Sequence, residues 1–197
     1  RADFRQEFAI KEDELVCLMI GSDFTRKGLG RSILALAALP ESLREKTKLI
    51  IIGSDKPDKF NRLAAQNGIS RQLTILSGRD DVPRFLLGSD MFLHPAYSEA
   101  AGNVIIEAII AGLPVLITDV CGYAHHIDAA GAGLVLDSPF HQWRLDAAVT
   151  QSLDSKFLAD CKAGGLAYAE REDLYSMHRT GAAMIEQLVE HQCKAIS

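Results

Sequence analysis

Short runs of apolar and β-branched residues alternate with segments of helical periodicity along most of the chain. The runs cover residues 15–20, 49–52, 73–76, 91–94, 115–118 and 134–136. Continuous apolarity predicts strands that are buried on both faces, because a half-exposed strand would alternate apolar with polar residues. Between the runs, apolar residues recur at helical spacing, as at Leu29, Ile33 and Leu36. This alternation predicts an α/β fold, a doubly wound, Rossmann-like parallel sheet of about six strands.

After Pro139 the pattern becomes purely helical, with segments at about 141–153, 156–170 and 177–191. Extra C-terminal helices are therefore predicted to follow the sheet. We predict one domain over residues 1–175 and a separate C-terminal helix within 176–197. Met184, Ile185, Leu188 and Val189 would form a narrow apolar stripe on that helix, which needs a covering surface. Because the chain begins without methionine, we expect it to be a piece of a longer protein.

Composition narrows the classes of function. The 21 Lys and Arg against 26 Asp and Glu give a net charge of −5, which argues against a broad nucleic-acid surface. The apolar stretch 104–118 is interrupted by Glu107 and Pro114, so we expect no membrane span. Four cysteines without a C-x-x-C pair indicate a reducing cytosol.

The loop after the fourth predicted strand carries the sharpest chemical pattern. Ligands of open α/β sheets bind beyond the carboxyl ends of the strands, and Glu99 and Glu107 flank a loop-to-helix junction there. The amides of Gly102, Asn103 and Val104 would point at a phosphate. Glu107 is the one charge in an apolar helix, and a buried carboxylate needs a partner. A vicinal diol of a sugar is a suitable partner, because a carboxylate accepts hydrogen bonds. The alternative interpretation is that Glu107 forms a salt bridge or a helix cap.

The loop after the first strand places Arg26 and Lys27 between a strand and a helix. It matches neither a P-loop, since Arg26 occupies the second glycine position, nor the dinucleotide fingerprint, since Gly28 comes too late. Two adjacent cations would suit a diphosphate. A solvated basic turn is the alternative interpretation.

Weaker signals lie in two other loops and in the histidines. Arg79 could contact a base edge, although pairing with Asp80 or Asp81 on the surface is equally consistent. Cys121 and His125 have metal-ligand spacing, but no second cysteine pair lies near them, so we predict no metal site. Four histidines away from this pair, His94, His141, His178 and His191, have no partner at useful spacing and are predicted to be structural or solvated.

Three features combine into a family resemblance: the Arg26–Lys27 pair, the Glu99-x7-Glu107 spacing with Gly102, and Gly-Leu-Pro-Val at 112–115. Together they resemble the C-terminal, donor-binding domain of GT-B retaining glycosyltransferases of family 4. The segments 94–97 and 121–125 are similar to those of members that add glucose to heptose in the lipopolysaccharide core. The similarity runs from about residue 15 to residue 175.

The resemblance implies a UDP-sugar donor, expected to be UDP-glucose, and no metal or other cofactor. By this resemblance, Arg26 and Lys27 would clamp the diphosphate, and Glu99 would contact hydroxyls of the donor sugar. The amides of Gly102, Asn103 and Val104 would bind phosphate. Glu107 would contact the ribose, and Arg79 would lie at the uracil. The lipopolysaccharide core acceptor would bind a missing N-terminal domain, onto which the last helix would pack. The chain would then bind donor without catalysing transfer. Its parent would be cytoplasmic, with peripheral association at the inner membrane for a lipid-linked acceptor.

Two other functions stay open on the sequence. A UDP-sugar epimerase would share the architecture and a similar carboxylate pair, although the segment 121–125 favours the transferase. A non-catalytic nucleotide-binding module would bind UDP as well as UDP-sugar and would not depend on Glu99.

Overall fold

The computed structural model describes residues 1–174, 176 and 182–186. The elements are α1 (Ala2–Glu7), β1 (Leu15–Ile20), α2 (Leu29–Ala37), α3 (Glu41–Arg44), β2 (Thr47–Ile52), α4 (Asp58–Gln66), β3 (Leu73–Leu76), α5 (Val82–Gly88), β4 (Met91–His94), α6 (Asn103–Ile110), β5 (Val115–Thr118), α7 (Ala124–Ala130), β6 (Gly133–Leu136), α8 (Gln142–Ser152) and α9 (Ser155–Arg171). All six predicted strands are present, with β2 beginning two residues and β6 one residue earlier than predicted.

The strands form one parallel sheet in the order β3-β2-β1-β4-β5-β6. This confirms the predicted Rossmann-like α/β fold. The order reverses between β1 and β4, so the connections that leave these two neighbouring strands run to opposite sides of the sheet. Their divergence opens a crevice at the carboxyl ends of β1 and β4, where α/β proteins bind ligands.

The sheet is buried on both faces, as the apolar runs predict. Alternate residues of β1 enter different cores: Val16 and Leu18 pack on one side, and Cys17 and Met19 on the other, all fully buried. Helices α1, α5, α6, α7 and α9 cover the first face, and α2, α4 and α8 cover the second. The burial removes apolar surface from water on both sides, which is the main driving force for this layered arrangement.

Four short helices, α1, α3, α5 and α7, go beyond the sequence-based prediction. Helix α1 is fixed by a contact that is distant in sequence, because the Phe4 ring meets the Phe85 ring edge-on at 5.3 Å. A side chain on Gly88 would lie 2.4 Å from Phe4, so the glycine allows this close approach. Periodicity cannot indicate helices of four to seven residues that tertiary contacts stabilise.

At the C-terminus, α8 and α9 confirm the segments predicted at 141–153 and 156–170. Of the helix predicted at 177–191, residues 182–186 are helical, with Met184 and Ile185 exposed, and the remainder lies outside the described residues. The boundary at 175/176 stays a prediction. Across the described residues, the helices are too short or too polar to span a lipid bilayer.

Candidate functional site

The loops that follow β1 and β4 touch each other at the crevice. The Tyr97 amide donates a hydrogen bond to the Arg26 carbonyl at 2.8 Å. Gly28 has a left-handed backbone with φ of 82°, and a Cβ there would lie 2.0 Å from the Pro95 carbonyl oxygen. Only glycine permits this approach. The sheet topology therefore brings together two loops that are some 70 residues apart in the chain.

An ion pair between Lys27 and Glu99 connects the two loops. The Lys27 ammonium bonds to Oε2 of Glu99, and their side chains are 11% and 10% exposed. Arg26 Nη1 lies 3.6 Å from the same oxygen and donates to the Ser98 carbonyl at 3.1 Å. Three of the predicted residues thus meet at one place: Lys27 is largely buried against Glu99, whereas the side chain of Arg26 stays 41% exposed.

The two oxygens of the Glu99 carboxylate have different surroundings. Oε2 receives the contacts from Lys27, Arg26 and His94. Within the described residues, Oε1 accepts no hydrogen bond. A carboxylate oxygen can accept more than one hydrogen bond, so Oε1 remains available to a ligand donor such as a hydroxyl.

Glu99 is held in its ionised form. Hydrogen bonding from His94 and then from Lys27 lowers its pKa from an ordinary 4.5 to about 2, against the opposing effect of burial. Donors aimed at a carboxylate favour its charged state. Glu99 is therefore an acceptor at neutral pH and cannot donate a proton there.

His94 was missed by the sequence-based prediction, which treated it as structural or solvated. It is the last residue of β4, it is fully buried, and its Nε2 lies 3.4 Å from Glu99 Oε2. Burial lowers the pKa of its imidazole, so the neutral ring is favoured. The available signal was its position at a strand end, five residues before Glu99 on the same loop.

Helix α6 begins at Gly102, which has left-handed φ and ψ of 85° and 59°. A Cβ at this position would lie 2.8 Å from Ile105 Cδ1 and 3.2 Å from Glu99 Cγ, so glycine brings the helix start against Glu99. In the described part of the chain, the amides of Gly102, Asn103 and Val104 donate to no protein acceptor. Free amides at a helix N-terminus suit an anion, and the phosphate contact itself stays a prediction.

The predicted burial of Glu107 is wrong, because its side chain is exposed and lines a cleft of about 750 Å³ between α5, α6 and α7. Among the described residues it forms no ion pair within 4 Å. Helix α6 is apolar on two sides: Ile105 and Ile109 enter the core, whereas Ile106 and Ile110 line the cleft. Uniform apolarity therefore did not mean full burial, and the ribose contact stays a prediction.

Arg79 is engaged by a neighbouring carboxylate. Its Nε and Nη2 donate to the two oxygens of Asp81 at 2.6 and 2.8 Å. This bond from Arg79 lowers the pKa of Asp81 to about 2. The pairing is the surface alternative considered from the sequence, and a uracil contact by Arg79 stays a prediction.

Cys121 and His125 do not form a shared site. The Cys121 thiol is buried, which raises its pKa to about 11, so it is a poor ligand or nucleophile at neutral pH. His125 Nδ1 instead lies 3.2 Å from the Gly122 carbonyl. Over the described ranges, no group of three His, Cys, Asp or Glu side chains is arranged to hold a metal ion.

The chain belongs to the glycosyl transferases group 1 family, whose model matches residues 1–165. It is 47% identical over 186 residues to the lipopolysaccharide glucosyltransferase WaaG of Escherichia coli (strain K12), covering 94% of this chain and 50% of that protein. An uncharacterized glycosyltransferase of Methanocaldococcus jannaschii, MJ1607, is 30% identical over 125 residues, 62% of this chain and 32% of that protein.

Solved structures agree with the family assignment. The crystal structure of WaaG, a glycosyltransferase involved in lipopolysaccharide biosynthesis, superposes with a TM-score of 0.91 and covers 94% of this chain and 50% of that one. Anabaena Alr3699/HepE in complex with UDP and glucose shares the fold, with a TM-score of 0.81 at 20% identity, over 94% of this chain and 51% of that one. The chain spans about half the length of WaaG.

Proposed function

We propose that this chain is the donor-binding half of a retaining glycosyltransferase that transfers glucose from UDP-glucose to a heptose of the lipopolysaccharide core. The geometry of Glu99 carries the proposal. Its Oε2 bonds to Lys27, its Oε1 accepts no hydrogen bond within the described residues, and its Cγ would lie 3.2 Å from a Cβ on Gly102, where α6 begins. A hydroxyl acceptor next to an anion site matches the chemistry of a sugar attached to a diphosphate.

Each part of the donor would meet a different part of the site. The diphosphate would bind at the amides of Gly102, Asn103 and Val104, with Arg26 and Lys27 alongside. Glu99 would accept a hydrogen bond from a glucose hydroxyl, Glu107 from the ribose diol, and Arg79 would contact the uracil. The N-terminal half of the parent would supply the acceptor site, so the chain alone would bind donor without transferring it.

Retention would follow from departure of the UDP on the face where the acceptor attacks, with the leaving phosphate taking up the acceptor's proton. Arg26, Lys27 and the α6 amides would stabilise the negative charge that grows on the leaving phosphate. Because these groups supply positive potential, we expect binding without a divalent metal. The acceptor chemistry would place the parent in the cytoplasm, next to the inner membrane.

Calorimetric titration of the chain with UDP, UDP-glucose and UDP-galactose, with EDTA and with Mg²⁺, tests the proposal. We expect UDP-glucose to bind more tightly than UDP and to be indifferent to EDTA. Equal affinity for UDP and UDP-glucose would favour a nucleotide-binding module, and a requirement for Mg²⁺ would contradict the metal-free mechanism. Transfer to a heptose acceptor by the full-length parent, rather than epimerisation of the donor, separates the transferase from an epimerase.

A further inference from the structure

The surroundings of His94 are unusual for a core residue. The ring is fully buried and stacks on Phe92 with 5.6 Å between ring centroids. Its Nε2 lies 3.4 Å from Glu99 Oε2. Nδ1 is equally buried, and in the described part of the chain it has no hydrogen-bond partner. A buried polar atom without a partner destabilises the folded state, so its presence calls for a physical reason.

The contacts define which nitrogen carries the proton. Ionised Glu99 can only accept hydrogen bonds, so the contact at 3.4 Å is favourable only if Nε2 of His94 is protonated. The neutral ring then leaves Nδ1 as a bare acceptor without a donor. A phenylalanine would fill the same space next to Phe92 without this unpaired atom. A histidine at this position therefore needs a reason beyond core packing, and its contact with Glu99 supplies one.

We infer that His94 is a positioning residue, which keeps Oε2 of Glu99 turned into the protein so that Oε1 faces the donor sugar. The inference rests on the proposed function. Lys27 and Arg26 cannot guarantee this orientation, because a bound diphosphate would compete with Glu99 for both cations. His94 is out of reach of solvent, and its rigid ring would still hold Oε2 after the cations have turned toward phosphate.

Amide side chains provide a matched pair of variants. The amide nitrogen of glutamine lies about as far from the backbone as Nε2, whereas that of asparagine lies only as far out as Nδ1. His94→Gln can therefore restore the donor to Glu99, and His94→Asn cannot. His94→Phe removes both ring nitrogens and with them the unpaired buried atom.

The measurements are the thermal midpoint of each variant and the ratio of its affinities for UDP-glucose and UDP. For His94→Phe we expect the midpoint at pH 7 to change little, because removing the unpaired Nδ1 offsets the lost hydrogen bond to Glu99. The affinity ratio should fall about tenfold, the loss expected for one hydrogen bond to a charged group. His94→Gln should keep the ratio and His94→Asn should lose it. A stable His94→Phe with the wild-type ratio would overturn the inference, as would equal ratios for the Gln and Asn variants.

A ligand-free measurement separates this inference from the proposed function. NMR titration of the Glu99 carboxyl should show a higher pKa in His94→Phe than in the wild type, because a donor to the charged form is lost. If the wild type does not prefer UDP-glucose but the pKa rises in the variant, the proposed function fails and the positioning of Glu99 stands. An unchanged pKa would overturn the positioning role.

Discussion

Replacing Glu99 by glutamine should destabilise the protein in a pH-dependent manner. The carboxyl has an ordinary pKa of 4.5 and titrates at about 2 in the folded chain, and its side chain is 10% exposed. At 1.36 kcal/mol per pKa unit, the folded structure favours the charged form by about 3 kcal/mol. The amide cannot recover this, because it places no negative charge against the buried ammonium of Lys27.

The sign follows from the direction of the change in pKa. A depressed pKa in the folded state means that the contribution is complete above the unfolded pKa of 4.5 and declines as the pH falls below it. The contribution is lost as the pH approaches 2. The difference in unfolding free energy between wild type and Glu99→Gln should therefore be about 3 kcal/mol at pH 7 and should shrink progressively between pH 5 and pH 3.

Urea denaturation followed by circular dichroism at pH 7, 5, 4 and 3 measures this difference. The wild-type curve alone is not diagnostic, because Asp81 also has a pKa of about 2 in the folded chain. Asp160→Asn is a suitable control, since the carboxylate of Asp160 pairs with Lys156 on the surface and should contribute little at any pH. A Glu99→Gln difference of equal size at pH 7 and pH 3 would refute the assigned electrostatics.

Two further predictions concern the proposed nucleotide contacts. Lys27→Ala should weaken UDP binding at least tenfold while leaving uridine binding unchanged, because the Lys27 ammonium is assigned to the diphosphate. Calorimetry with both ligands measures this, and equal losses of affinity for UDP and uridine would contradict the assignment. Glu107→Ala should weaken UDP binding by about 1.5 to 3 kcal/mol without lowering the thermal midpoint, because the side chain is exposed. Glu170→Ala, also exposed, is the control, and UDP binding unchanged by Glu107→Ala would remove the ribose role.

The fold was accessible from the sequence because the strands are buried on both faces. Each strand appears as a continuous apolar run, and the long connections between runs favour parallel pairing. The short helices were not accessible, since α1 depends on Phe4 reaching Phe85, a contact across 81 residues. Local patterns do not contain that information.

The candidate site could be predicted from the sequence only in part. Residue type and loop position identified Arg26, Lys27 and Glu99, but the sequence could not show that Lys27 is paired with Glu99 rather than exposed. Glu107 was placed wrongly because an apolar helix can face a core on one side and a cleft on the other. His94 was overlooked because its partner became visible only when the loop folded back on the strand end.

The charge balance of the loop cluster bears on what it can recognise. Arg26 pairs with Asp23 at 3.1 Å and Lys27 pairs with Glu99, so a carboxylate offsets the charge of each of these two cations. A diphosphate would therefore need directed N–H donors, above all the α6 amides, in addition to the partly offset charges of Arg26 and Lys27. Under the proposed function, Glu99 weakens the attraction for free UDP but gains a partner when a sugar hydroxyl reaches Oε1. The same carboxylate would thus disfavour the spent nucleotide relative to the intact donor.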